Sequence, residues 1–171
     1  MEVTDRSKNV FTVDDWSDPE ELEREKPYEK SKTLAEKAAW KFHSELPEAE
    51  KFEMVTILPG LVLGPNINTC HFTSGDFLKG FMQSDPGYEQ LLNWSFPFVD
   101  VRDVALSHLK AVLKPKAAGK RFMLVNDQCH YWQEIGKWLD DVYGAKGSGL
   151  FNVSTEVITD PKTIETLPSE I

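Results

Sequence analysis

The stretch FEMVTILPGLVLGPN, residues 52 to 66, constrains the fold more than any other part of the sequence. Residues 54 to 58 form a nearly unbroken apolar run with β-branched side chains, which predicts a strand buried on both faces. Two pairs of proline and glycine, at residues 59–60 and 64–65, then predict a turn and a loop. Together with a helix before it, such a strand is typical of an α/β layer fold.

That preceding helix is predicted over residues 27 to 46. Pro27 suits the first turn, because the N–H that proline lacks is not needed there, and Pro47 ends the helix. Apolar residues recur every three or four positions and give one stripe, formed by Leu34, Ala35, Ala38, Ala39, Phe42 and Leu46.

The rest of the chain continues the alternation of helices and strands. The pattern predicts a helix at 74–84, a strand at 98–101, a helix capped by Asp103 that ends near residue 113, a strand within 119–127 and an amphipathic helix ended by Gly144. Residues 1 to 26 are polar and acidic, and they predict a surface loop that Trp16 anchors.

Composition excludes several functional classes. The 171 residues are 40% hydrophobic and 27% charged, as in ordinary globular proteins. The formal net charge of −9 argues against a nucleic-acid or anionic-membrane surface, since both reward clustered lysine and arginine. No apolar run is long enough to span a bilayer, and the first residues do not resemble a secretory signal. We therefore expect a soluble protein.

The cysteines and histidines predict neither a disulfide framework nor a metal site. Cys70 and Cys129 lie far apart, and no CxxC pair occurs. His43, His71 and His130 do not have the spacing of metal ligands. A reducing, cytoplasmic location fits this cysteine usage best.

Tyr28 and Lys32 are the candidate catalytic residues. Residues four apart share one face of a helix, so both side chains can point into one cleft. An ammonium group favours the phenolate form of a neighbouring phenol, which lets that phenol exchange a proton near neutral pH. The alternative is two polar residues on a solvated helix, and the spacing by itself leaves both open.

Three ordered motifs surround this pair. They are YEKSKTLAEKAAW at residues 28–40, PGLVLGP at 59–65 and DVRDVA at 100–105. In this order they resemble the extended short-chain dehydrogenase/reductase family of the NAD-dependent epimerase/dehydratase superfamily. The resemblance covers roughly residues 10 to 145. Within the family it is strongest to the branch of dihydroflavonol, cinnamoyl-CoA and methylglyoxal reductases.

The resemblance implies a role for each matching residue. Tyr28 corresponds to the general acid/base, and Lys32 to the residue that tunes it and hydrogen-bonds the nicotinamide ribose. The cofactor-binding positions would be these two together with Pro59, Gly60, Val62 and Ser74. The implied reaction is hydride transfer between NADP (or NAD) and a small-molecule carbonyl, with Tyr28 protonating the alkoxide. Two roles are equally expected for four aromatic residues, as walls of the substrate pocket or as ordinary core packing: Phe72, Phe77, Phe81 and Trp94.

The sequence also departs from the family pattern. No Gly-x-x-Gly-x-x-Gly turn occurs in the 171 residues, although backbone N–H groups of that turn bind the pyrophosphate. The family's catalytic serine has no clear counterpart. The implied fold is therefore the C-terminal part of a Rossmann-type doubly wound α/β sheet plus a small substrate-binding subdomain. Residues 1–64 would end the Rossmann-like part, and residues 65–171 would be mainly substrate-binding.

Several alternatives follow from this departure. The chain could be a fragment of a longer enzyme, a truncated gene product, or one whose partner or second copy supplies the missing half of the sheet. It could instead be a non-catalytic relative that acts as a structural or interaction module. An epimerase or dehydratase would use the same Tyr/Lys pair, but the sequence AEKAAW at residues 35–40 favours a reductase.

Overall fold

The computed structural model describes residues 10–20, 27–68, 73–83, 91–92, 95–143 and 157–158. The helices are α1 (Pro27–Glu45), α2 (Thr73–Gln83), α3 (Val101–Leu113) and α4 (Trp132–Tyr143), with 3₁₀ turns at Glu48–Glu50 and Pro115–Ala117. The strands are β1 (Val55–Pro59), β2 (Leu61–Leu63), β3 (Leu91–Leu92), β4 (Ser95–Asp100), β5 (Lys120–Leu124), β6 (Cys129–Tyr131) and β7 (Val157–Ile158). These elements form two compact units. The first unit comprises Met1–Gly60 and Asp103–Leu124, and the second comprises Leu61–Arg102 and Val125–Ile171.

A parallel pair of strands, β1 and β5, forms the sheet of the first unit. Val55 is in register with Lys120, and Pro59 with Leu124. The Gly60 N–H donates to the Leu124 carbonyl at 2.9 Å, which extends the ladder into the turn after β1. The first unit therefore includes residues 103–124, because β5 returns to pair with β1.

The second unit is built around a mixed sheet. β2 pairs parallel with β4, and β4 pairs antiparallel with β6. Residues 61–63 thus form a strand where the sequence predicted only a turn and loop. Trp132 of α4 is 2% exposed and lies at the centre of the core. Its ring is surrounded by three aromatic rings at centroid distances of 4.8 to 5.9 Å, those of Phe77, Phe96 and Phe98.

Strand β1 is half-buried, so the prediction of a strand buried on both faces is wrong. Residues 55 to 58 are intermediate in exposure and Pro59 is exposed. Within the described part of the chain, β1 is hydrogen-bonded to β5 alone. A parallel strand becomes fully buried only when further strands and helices cover it, and the described residues do not supply this cover.

Helix α1 packs through a polar and aromatic face. Glu36, Trp40 and His43 are partly buried, whereas Leu34 and Phe42 of the apolar stripe are 47% and 61% exposed. Because leucine and phenylalanine are large apolar residues, their exposure on one stripe leaves a surface that water solvates poorly.

Helix α3 begins three residues earlier than predicted, at Val101, so the expected cap at Asp103 is wrong. The cap is Asp100, whose Oδ1 accepts the Arg102 N–H at 2.8 Å. Hydrogen bonds from the Arg102 side chain and backbone lower the pKa of Asp100 from 3.8 to about 2. Asp103 instead lies in the first turn of the helix.

Candidate active site

The first turns of α1 bring Tyr28 and Lys32 together. The Lys32 Nζ atom lies 5.4 Å from the centroid of the Tyr28 ring. Both residues are exposed, and Tyr28 is 66% exposed. The hydroxyl of Ser31, between them in sequence, donates to the Tyr28 carbonyl at 2.7 Å. The pair is thus preformed and open to solvent in the first unit, so a substrate could reach the phenol.

A mostly buried ion pair holds the middle of α1 against the sheet of the first unit. Nε and Nη2 of Arg121, on β5, each donate to one carboxylate oxygen of Glu36 at 2.9 Å. The side chains are only 12% and 14% exposed. Thr56 of β1 and the Trp40 indole also donate to Glu36, at 2.8 and 3.2 Å. A carboxylate with four donors is firmly oriented.

Opposing effects act on the ionisation of Glu36. Burial raises the pKa of the carboxyl group, because it disfavours the charged form. Hydrogen bonds from Arg121, Thr56 and Trp40 and the charge of Arg121 act in the other direction and outweigh burial. The pKa of Glu36 therefore lies below its usual value, and the group is ionised at neutral pH.

The same arginine holds the segment at residues 10–20. Arg121 Nη1 donates to the carbonyls of Val13 and Asp15, and the guanidinium carbon lies 3.6 Å from the centroid of the Trp16 ring. This cation–π contact confirms the prediction that Trp16 anchors the segment. Lys37 of α1 lies 5.8 Å from the same ring.

The remaining predicted site residues fall in both units. Pro59 and Gly60 belong to the first unit and lie at the carboxyl end of β1, the end at which ligands bind in parallel α/β sheets. Val62 and Ser74 belong to the second unit. Val62 is in register with Val99 on β4, and Ser74 is half-buried at the start of α2.

The predicted pocket walls are only partly described. Phe72 and Trp94 lie outside the described residues, as does the side chain of Phe81. Phe77 packs on Trp132 with ring centroids 4.8 Å apart. It therefore has the core-packing role that was the alternative to a pocket wall.

A cavity of about 310 Å³ in the second unit was not predicted. It is lined by Leu63, Gly64, Phe98, Val99, Asp100 and Asn126. Gly64 has a φ of +137°, and a Cβ atom there would lie 2.8 Å from Val101 Cγ1. Asn126 accepts the Phe98 N–H through its side-chain oxygen and donates its own N–H to the Phe98 carbonyl.

Two further observations concern residues that the structure describes. No group of three or more histidine, cysteine, aspartate or glutamate side chains among them is placed to hold a metal ion. None of the helices in this part of the chain is both long and apolar enough to cross a membrane.

Comparison with known proteins identifies sequences similar to this chain. No protein-family model matches it. An uncharacterized oxidoreductase of Saccharomyces cerevisiae is 35% identical over 126 residues, which cover 68% of this chain and 36% of the relative. A cinnamoyl-CoA reductase of Medicago truncatula is 38% identical over 116 residues, which cover 68% of this chain and 33% of the relative.

A solved structure shares the fold. The complex of Gre2 from Candida albicans with NADPH aligns with a TM-score of 0.63 and 26% identity, over 78% of this chain and 41% of that chain. This chain is similar to oxidoreductases of the short-chain dehydrogenase/reductase family, in its NAD-dependent epimerase/dehydratase branch. Its α/β architecture is the Rossmann-type fold of that family, as the sequence predicted. The chain spans about a third of the length of the curated relatives that it matches.

Sequence reasoning missed the ion pair between Glu36 and Arg121. Glu36 lies inside the motif that identified the family, but the motif did not reveal its partner. Arg121 is a charged residue within the strand KRFML, where side chains of this kind are rarely buried unless paired. That was the one local signal of a buried ion pair.

Proposed function

We propose that the chain carries the proton-transfer residues of an NAD(P)H-dependent reductase that converts an aldehyde or ketone to an alcohol. The observation that carries this proposal is the 5.4 Å approach of the Lys32 ammonium to the Tyr28 ring, in a chain that is similar to reductases. A phenol and an ammonium at this separation form the acid and the charge that a carbonyl reduction needs beside a hydride donor.

In the proposed mechanism the bound nicotinamide supplies the hydride. The Tyr28 hydroxyl donates a hydrogen bond to the carbonyl oxygen of the substrate and then gives its proton to the alkoxide. Lys32 stabilises the phenolate that remains, because a positive charge favours the ionised form. The exposure of Tyr28 leaves room for the substrate. One hydride and one proton thus complete the alcohol.

The resemblance assigns residues of the first unit to the nicotinamide end of the cofactor. Lys32 would hydrogen-bond the ribose, and Pro59 and Gly60, at the carboxyl end of β1, would lie against the nicotinamide. The pyrophosphate end has no glycine-rich turn in these 171 residues. We therefore expect weak binding of NADPH to the chain alone.

The exposed surfaces of the first unit suggest where the rest of such an enzyme would pack. Leu34 and Phe42 of α1 and Leu109 and Val112 of α3 are exposed, and β1 is half-buried. Additional strands and helices of a nucleotide-binding half would cover these surfaces. A longer protein, a partner chain or a second copy could provide them.

The second candidate function is that of a non-catalytic structural or interaction module. The observation that favours it is the lack of a Gly-x-x-Gly-x-x-Gly turn in the sequence. Such a module would keep the fold and the Tyr/Lys pair without binding the nucleotide. For either function the proposed location is the cytoplasm, which the two distant cysteines fit.

Titration with NADPH distinguishes the two functions. The purified chain is mixed with increasing NADPH while cofactor fluorescence is followed, and turnover is then measured with a small aldehyde. The reductase proposal predicts saturable binding and a turnover that Tyr28→Phe removes. Tyr131→Phe is the matched control, because Tyr131 is an exposed tyrosine on β6. Absence of binding at millimolar NADPH would favour the non-catalytic module.

A further inference from the structure

One guanidinium group contacts the chain on both sides of Tyr28. Upstream, Arg121 donates to the carbonyls of Val13 and Asp15 and stacks on the ring of Trp16. These residues precede α1, and Arg121 follows them by more than 100 positions in sequence. The contact is therefore tertiary and does not follow from local helix or turn formation.

Downstream, the same group makes a two-pronged ion pair with Glu36. Glu36 lies four residues after Lys32, one helical turn further along α1. Arg121 thus contacts residues 13–16 and Glu36 with one side chain. Tyr28 and Lys32 lie between these contacts in sequence.

We infer that Arg121 is a positioning residue for the Tyr28–Lys32 pair. By holding residues 13–16 and the third turn of α1 at β5, it keeps the first two turns of the helix, which carry the pair, in one orientation relative to the sheet. The inference deepens the proposed function and rests on it for its catalytic consequence. Arg121 itself would touch neither substrate nor cofactor.

Arginine suits this role better than lysine. The guanidinium is planar and offers five N–H donors, so it can bind a carboxylate with two prongs, donate to backbone carbonyls and stack on an aromatic ring together. A lysine ammonium can satisfy the charge of Glu36, but it cannot match this set of contacts from one position. Arg121→Lys therefore separates the positioning role from simple charge balance.

The opening turn of a helix depends on such support. The first four N–H groups of a helix have no partner within the helix, and helix ends fray readily. Tyr28 is the second residue of α1. Release of the upstream segment would let this turn open, and the approach of Lys32 to the Tyr28 ring would be lost.

A side-chain NMR signature tests the geometry without any turnover. Lys32 Nζ lies over the Tyr28 ring, so we expect an upfield ring-current shift of the Lys32 ε-methylene protons, with Tyr28→Leu giving the unshifted reference. In Arg121→Lys and Arg121→Gln this shift should fall by at least about half. Lys41→Gln is the control, because it removes a cation of α1 whose pair with Glu45 is exposed.

The state of the fold is read from the same spectra. Amide signals of β1 and β5 should keep their dispersion in Arg121→Lys, which shows that the sheet remains intact. An unchanged Lys32 shift in both Arg121 variants would overturn the inference. If Arg121→Gln unfolds the first unit, Arg121→Lys alone decides, and retention of the full shift in that variant would overturn it equally.

Turnover separates this inference from the proposed function. If the wild-type chain reduces an aldehyde, Arg121→Lys should lower kcat by about tenfold to 10²-fold with little change in the KM for NADPH, since small displacements of reacting groups have effects of this size. Turnover that Arg121→Lys leaves unchanged refutes the inference and leaves the proposed function standing. If the wild-type chain shows no turnover and Arg121→Lys still loses the Lys32 shift, the proposed function is refuted and the positioning role is supported.

Discussion

Removal of either partner of the Glu36–Arg121 pair should destabilise the first unit by unequal amounts. The two side chains are 12% and 14% exposed, so the pair resembles a buried ion pair, where loss of one partner costs about 3 to 5 kcal/mol. In Arg121→Leu the Glu36 carboxylate keeps the donors Thr56 and Trp40. We therefore expect the lower end of this range, about 3 kcal/mol.

Glu36→Gln should cost less, because the amide keeps the shape of the side chain and one acceptor oxygen. Arg121 would still donate to two backbone carbonyls and stack on Trp16. We expect a loss of about 1.5 kcal/mol, the lower limit for a hydrogen bond to a charged group. The double variant should lose only about 3 kcal/mol, since the second change removes a contact that the first has already broken. The coupling free energy is then about 1.5 kcal/mol, within the range for residues in contact.

Urea unfolding measures these values when it is followed by the amide signals of β1 and β5, which report on the first unit alone. The control variant Lys41→Gln breaks an exposed pair at 3.8 Å and should change stability by less than about 0.5 kcal/mol. Losses that add to within about 0.5 kcal/mol in the double variant would show that Glu36 and Arg121 do not act together, and the reasoning would be wrong.

Two further predictions concern pH and backbone conformation. Because the pKa of Glu36 is lowered in the folded state, its contribution to stability should be present at neutral pH and be lost as the pH falls below the usual carboxyl value of 4.5. Urea unfolding at pH 7 and near pH 3 should therefore show that acid lowers the free energy of unfolding less in Glu36→Gln than in wild type. Equal decreases in the two proteins would contradict this. Gly64→Ala should destabilise the second unit by about 1 to 3 kcal/mol in thermal unfolding, since the new Cβ would lie 2.8 Å from Val101 Cγ1. Gly119→Ala, at φ +73° with no atom within 4 Å of the new Cβ, is the control for backbone strain alone, and an effect as large as that of Gly64→Ala would refute the steric explanation.

Local patterns predicted most of the long elements. The helical period over residues 27–46, the apolar run at 54–58 and the amphipathic pattern before Gly144 correspond to α1, β1 and α4. Strands β2 and β6 have only three residues each, too few for a period to be recognised. Their existence depends on pairing with β4, a contact that no local pattern reveals.

The wrong predictions for the cap of α3 and the burial of β1 have the same cause, because both features depend on tertiary structure. Asp100 and Asp103 are both able to cap a helix, and only the three-dimensional course of β4 into α3 places the Asp100 oxygen at the Arg102 N–H. The apolar run of β1 predicted burial that depends on neighbouring strands, and the described residues provide one such strand.

The sequence predicted only the part of the candidate site whose residues are close to each other in the chain. Tyr28 and Lys32 are one helical turn apart, so their approach follows from helix geometry. The Glu36–Arg121 pair joins positions 85 residues apart, and its recognition required the tertiary structure. The approach of Lys32 to Tyr28 could thus be predicted from the sequence, whereas the Glu36–Arg121 ion pair could not.

The most direct test of the account is a double-mutant cycle on NADPH-dependent reduction of a small aldehyde by wild type, Tyr28→Phe, Lys32→Met and the double variant. If the two residues act on the same proton as one unit, the double variant should be no slower than the slower single variant. Losses in kcat that multiply would show that Tyr28 and Lys32 act independently. Such a result would contradict the central claim that the ammonium acts through the phenol beside it.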